Sequence, residues 1–221
     1  MLGDILIIRD MHTAAAASIA EKLLEDREKK SKFYKYIIAL SGESGAGKSE
    51  VSHSLALKLK KHSIRVKILH ADNYYKVPPL LRTEWRKEKG LQTVGIDEYD
   101  WHLIQRNILD FKEDREAMMP CIDIIPDQVD KLITDFKKVD LLIIDGLYAL
   151  KAEGIDMRIF IDLTYRETKI SQIVRRKETM NSFRNSVLER EHQNVMTLKP
   201  MADFIIDKSY QLVDAKTGEV I

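Results

Sequence analysis

Eight consecutive residues, Gly42, Glu43, Ser44, Gly45, Ala46, Gly47, Lys48 and Ser49, match the spacing G-x-x-x-x-G-K-[ST]. Glycines at the first, fourth and sixth places let the backbone bend so that successive N–H groups converge on one anion. A helix that starts near Lys48 adds the positive end of its dipole. Lys48 is then spaced to bridge two phosphates and the Ser49 hydroxyl to ligate Mg²⁺, so the expected ligand is Mg-ATP. A glycine-rich turn that matches by chance is the competing reading. A second carboxylate motif counts against it: Asp145-Gly146 ends an apolar run, where an aspartate can hold the magnesium, although Asp-Gly turns after strands are common. Asp72 follows another apolar run and could accept the proton of an attacking hydroxyl, or merely cap a turn in its Asp-Asn pair. Tyr74 and Tyr75 beside it could contact a substrate, with one of them expected in the core.

These residues need a scaffold that brings them to one edge. Residues 36–40 read as a buried strand running straight into the octapeptide, and Val51, Leu55 and Leu59 fall on one face of a following helix. Further strands are expected at 66–69, 141–145, 158–161 and 204–206. The run at 141–144 is continuously apolar, as in a strand covered on both faces. Alternating strands and helices imply βαβ units. The expected fold is therefore α/β, a three-layer P-loop fold with a mainly parallel sheet flanked by helices; a short lid is added to it only by the family resemblance given below. Asp72 would sit at the carboxyl edge of that sheet, where ligands bind in open α/β folds. Residues 1–35 read as an N-terminal extension packed on the core, with a strand at 5–8, Thr13 as N-cap and an apolar helical face from Ala16 to Leu24. That extension could add an edge strand and a helix or take part in a dimer contact; residues 36–221 form the expected kinase domain.

Composition removes other classes. The 221 residues carry 36 Lys+Arg against 35 Asp+Glu, so no global positive field draws nucleic acid or an anionic membrane. A single cysteine, Cys121, forms no intramolecular disulfide and suits a reducing compartment. No apolar stretch approaches the roughly 20 residues that span a bilayer. The chain reads as cytoplasmic, with a small molecule as partner and a homo-oligomer left open. No N-K-x-D guanine-reading motif occurs, and Gly146 stands where water-activating ATPases carry a glutamate, which leaves a small kinase. An ATP-binding regulatory module is the non-enzyme alternative; acceptor-dependent turnover would separate the two.

The order of P-loop, Asp72-Asn73-Tyr74-Tyr75, Pro120-Cys121-Ile122-Asp123, Ile143-Ile144-Asp145-Gly146 and Ala202-Asp203-Phe204-Ile205-Ile206 resembles the uridine kinase/phosphoribulokinase family over about residues 36–210. The resemblance implies that Asp72 is the base, that Asp123 lines the acceptor pocket, and that Arg175 and Arg176 belong to a basic lid closing over the transferring phosphate, with Arg184 able to join them. Cations favoured at a helix C-terminus are the plainer reading of that pair. Where relatives place residues that face a nucleoside, this chain has Ile122, Asp127 and Val129, and Thr168 and Ser171 replace earlier lid arginines. A nucleoside acceptor is implied by resemblance alone. Lys76, Arg82, Arg86, Lys87 and Lys89, just after Asp72, offer the alternative of an anionic or phosphorylated acceptor, against a solvated basic helix.

Overall fold

The computed structural model describes residues 5–31, 33–123, 125–126, 128–169 and 181–221. Alternating βα segments build a six-stranded sheet in the order β2-β5-β1-β6-β7-β8. Its strands are β1 (Tyr36–Gly42), β2 (Val66–His70), β5 (Leu141–Asp145), β6 (Met157–Ile161), β7 (Phe204–Ile206) and β8 (Leu212–Asp214). All neighbours pair in parallel except β8, which closes one edge antiparallel to β7.

Strand pleating sends alternate residues of the apolar runs to opposite faces. On one face Ile37, Ala39, Leu142, Ile144 and Phe160 pack with Ile104, Ile108 and Phe111 of α4 (Trp101–Lys112). On the other, Ile38, Leu40, Leu141, Ile143 and Ile159 pack with Val51, Leu55 and Leu59 of α2 (Lys48–Lys61) and Ala15, Ile19 and Leu23 of α1 (Asp10–Glu28). Two further helices, α3 (Pro79–Lys89) and α5 (Ser182–Met196), meet through Arg86 and Glu191.

Three elements depart from the sequence reading. Residues 5–8 form no strand: Ile5, Leu6 and Ile8 stay exposed, and the Ile7 N–H donates to the Glu50 carboxylate instead of to a ladder. Helix α1 starts at Asp10, before Thr13, because the His12 imidazole reaches back to accept the Arg9 N–H at 3.1 Å and closes the first turn. An antiparallel hairpin, β3 (Glu116–Asp123) with β4 (Gln128–Asp135), stands apart from the main sheet. Its strands mix apolar and charged residues, and the register that pairs them is not written in either run alone. Among the described residues no helix is long and apolar enough to cross a membrane.

Candidate active site

Parallel registry delivers the chemistry to one edge. Asp145 is the β5 partner of both Leu40, two residues before the loop, and His70, the last residue of β2. The loop then turns into α2 through Gly47, at φ +84°. A Cβ there would lie 2.7 Å from the Tyr210 hydroxyl and 2.9 Å from His12 Nε2, so both backbone conformation and space demand glycine. Tyr210 donates its hydroxyl proton to Ala46 O at 2.9 Å, supporting the loop from behind together with α1. No side chain among the described residues caps the α2 N-terminus. Lys48 Nζ donates to Gly42 O and Glu43 O, at 2.9 and 2.8 Å, folded along the loop it would leave for a polyphosphate.

Glu43, expected among the nucleotide-binding residues, turns its buried carboxylate the other way. It accepts the Tyr165 N–H at 2.7 Å and meets His192 Nδ1 of α5 at 2.6 Å. Thr168 donates its hydroxyl to Ser44 O at 2.8 Å. Loop residues 43 and 44 are thus pinned to segments on both sides of 170–180. Arg175, Arg176 and Ser171 lie outside the described residues.

Asp145 is buried, with Oδ1 2.7 Å from His70 Nδ1. Its other oxygen, Oδ2, has no hydrogen-bond partner among the described residues. Burial raises the pKa of this carboxyl, but the His70 imidazole and the Lys48 ammonium outweigh that and hold it below the usual carboxylate range. A buried carboxylate with one open oxygen is a donor of the kind that a hard divalent cation takes, and Ser49, part-exposed on the first turn of α2, offers a hydroxyl. Gly146 follows at a close approach: a Cβ on it would come within 2.5 Å of Ala71 Cβ, which leaves no room for a water-activating glutamate.

Asp72 lies in the 3₁₀ turn Ala71–Tyr74 that continues β2, and its Oδ1 accepts the Tyr99 hydroxyl at 2.9 Å. The Tyr99 ring in turn lies 4.2 Å from that of Tyr75. Tyr74, expected as a substrate contact, turns into the core, where its hydroxyl donates to Asn107 at 2.7 Å. Asp123 ends β3 and accepts the Ile125 N–H at 3.1 Å, shaping the hairpin turn. Its neighbour Ile122 donates its N–H to Asn73 Oδ1 at 3.2 Å, which ties the hairpin to the turn bearing Asp72. Asp127 lies outside the described residues, and Val129 is exposed.

The basic cluster dissolves on folding. Arg86 is buried and forms a fork with Glu98, at 2.7 and 2.9 Å, while its Nη2 also reaches Glu191 of α5 at 3.2 Å. Arg184 joins the same Glu191 at 3.5 Å. Sequence reading missed Glu43's role, His70, Tyr99, Asn73 and the Arg86–Glu98–Glu191 triad. Each gains its place through a partner at least 12 residues away, and nothing in local spacing announces it.

A P-loop at the mouth of a helix, an aspartate on the adjoining strand and a carboxylate in the turn after β2 are the features of the P-loop class of small kinases. The Phosphoribulokinase / Uridine kinase family matches residues 37–214, and the chain belongs to that family. It is 26% identical over 182 residues to a uridine kinase of Staphylococcus aureus, covering 80% of this chain and 84% of that protein. Its fold is similar to phosphoribulokinase from Rhodobacter spheroides, with TM-score 0.61, 15% identity, and 80% and 71% of the two chains covered. It is equally similar, at TM-score 0.61 and 14% identity, to D-glycerate 3-kinase from Cryptococcus neoformans, over 96% of this chain and 99% of that one.

Proposed function

We propose that this protein transfers the γ-phosphoryl group of Mg-ATP to a hydroxyl of a small molecule, with Asp72 as general base. The observation that carries this reading is the placement of Asp72 two residues beyond His70, whose imidazole holds Asp145, so that a carboxylate for the acceptor and a carboxylate for the metal share one sheet edge. When bound, the metal would neutralise phosphate charge, with Asp145 and the Ser49 hydroxyl as its protein partners.

The residues divide the remaining work. Amides of 42–49 and the α2 N-terminus hold the phosphates, and Lys48 exchanges its two carbonyl partners for phosphate oxygens. Tyr99 donates to Asp72 and thereby orients it, leaving the second carboxylate oxygen to take the acceptor's proton. The pinning of Ser44 and Glu43 to Thr168, Tyr165 and His192 couples the loop to the chain on either side of the lid segment. The Staphylococcus aureus relative is a uridine kinase, so a nucleoside is the first acceptor to try.

The test measures transfer and binding separately. Asp72→Asn should retain Mg-ATP binding by calorimetry and lose about 10²- to 10⁴-fold in transfer to the acceptor. Lys48→Ala should weaken Mg-ATP handling with every acceptor. Undiminished transfer by Asp72→Asn removes Asp72 from the chemistry, and wild-type protein that binds neither ATP nor GTP removes the kinase reading altogether.

A further inference from the structure

The peptide that joins Ala46 to Gly47 is trans and planar, so its carbonyl and its N–H point in opposite directions. A donor fixed on Ala46 O therefore fixes the direction of the Gly47 N–H, one of the amides of the phosphate loop. Tyr210 is that donor: its hydroxyl, on the turn between β7 and β8, lies 2.9 Å from Ala46 O.

Tyr210 is itself held under strain. Its φ is +61°, in the left-handed region that a bulky side chain seldom enters. Asp207 imposes that shape on the turn. Its Oδ1 accepts the N–H groups of Ser209 and Gln211, at 2.8 and 2.9 Å, and its carbonyl accepts the Tyr210 N–H at 3.0 Å. Strain kept by so over-determined a turn marks a position where geometry is used. The buried ring stands edge-on to His12, with centroids 5.1 Å apart.

His12 brings in the N-terminal segment, which precedes the residues of the family match. Its Nδ1 accepts the Arg9 N–H, so the neutral ring carries its proton on Nε2, the nitrogen 2.9 Å from where a Gly47 Cβ would stand. Just upstream, the Ile7 N–H donates at 3.3 Å to the buried carboxylate of Glu50, the residue after Ser49. The N-terminal segment thus meets the loop on both sides of Lys48.

We propose that Tyr210 is a positioning residue for the nucleotide: it aims the Gly47 N–H at the phosphates, and the N-terminal segment holds it there through His12. This deepens the kinase reading and rests on it. Tyr210 takes no part in the phosphoryl step and touches the loop alone.

The experiment measures binding of Mg-ATP, and of inorganic triphosphate with Mg²⁺, to the full chain by calorimetry. Tyr210→Phe keeps the ring and removes the donor; it should raise Kd for both ligands by the same factor, about 3- to 10-fold. His12→Gln keeps an acceptor for the Arg9 N–H and removes the ring, and should raise both by a smaller factor. Leu23→Ala, far along α1 in the core, should lower Tm and leave both values in place. An unchanged Kd in Tyr210→Phe overturns the proposal, as does a rise for Mg-ATP without one for triphosphate, or a rise as large in Leu23→Ala. Wild type that binds Mg-ATP and no triphosphate overturns it too. An unchanged Kd in His12→Gln removes the N-terminal segment from it. If wild type binds neither ligand, the kinase reading falls and the proposal with it; in every other case that reading stands and the proposal alone is decided.

Discussion

Replacing Arg86 by methionine should destabilise the fold strongly, and the loss should grow with pH. The side chain is 4% exposed, Glu98 is 5% and Glu191 is 4%, so the three charges are out of water together. Methionine keeps the packing of the aliphatic stem and removes only the cation. Two carboxylates then stay buried with Arg184, at 3.5 Å from Glu191, as the nearby charge that remains. Removing one partner of a buried ion pair costs about 3–5 kcal/mol. At about 2–4 °C per kcal/mol for a domain of this size, Tm should fall by roughly 6–20 °C. The sign with pH follows from the carboxyls left behind. Two carboxylates shut in a dry site without their cation cost least when protonated, so the variant loses less stability at acid pH than at neutral pH. Calorimetric scans of wild type and variant at pH 5 and pH 8 should show the gap widening at pH 8. Glu98→Gln and Glu191→Gln, added to Arg86→Met, should recover most of the loss, since Gln at 98 still accepts the Gly95 N–H. A Tm drop below about 3 °C at pH 8 for the single variant refutes a dry triad.

Two other substitutions probe the sheet edge and the strand entry. Gly146→Ala places a methyl 2.5 Å from Ala71 Cβ, immediately before Asp72, so stability should fall by about 1–3 kcal/mol, with a loss in kcat that Ala71→Gly restores; a kcat left intact in the single variant contradicts the packing described. Asp140 accepts Nε and Nη2 of Arg65, both at 2.9 Å, and Arg65 holds its carboxyl below the usual range against a smaller opposing effect of burial. A depressed folded-state pKa contributes stability that is present above the unfolded value and lost as pH falls through the folded one. Asp140→Asn should therefore lower the urea midpoint at pH 7, by no more than about 1 kcal/mol for so exposed a pair, and the difference should vanish at the acid end; a constant difference down to pH 2 excludes the ion pair as its source.

The sequence by itself determined the nucleotide half of the molecule. Its signals are local: the octapeptide at 42–49 needs only the strand before it and the helix after it, and the apolar runs at 36–40 and 141–144 leave a fully covered strand as their natural state. Asp145 was legible for the same reason, as the last residue of such a run. Tertiary structure decided the surroundings of Asp72. Five cations after Asp72 look alike in sequence, and only the approach of α5, more than 100 residues later, pairs Arg86 with Glu191. Long-range packing also sent Tyr74 inward onto Asn107 and turned the Glu43 carboxylate onto His192. A phosphate cradle is built from consecutive backbone amides, whose geometry a short motif dictates. Side chains that select an acceptor are paired or freed by elements distant in sequence, and short-range spacing carries no record of that choice.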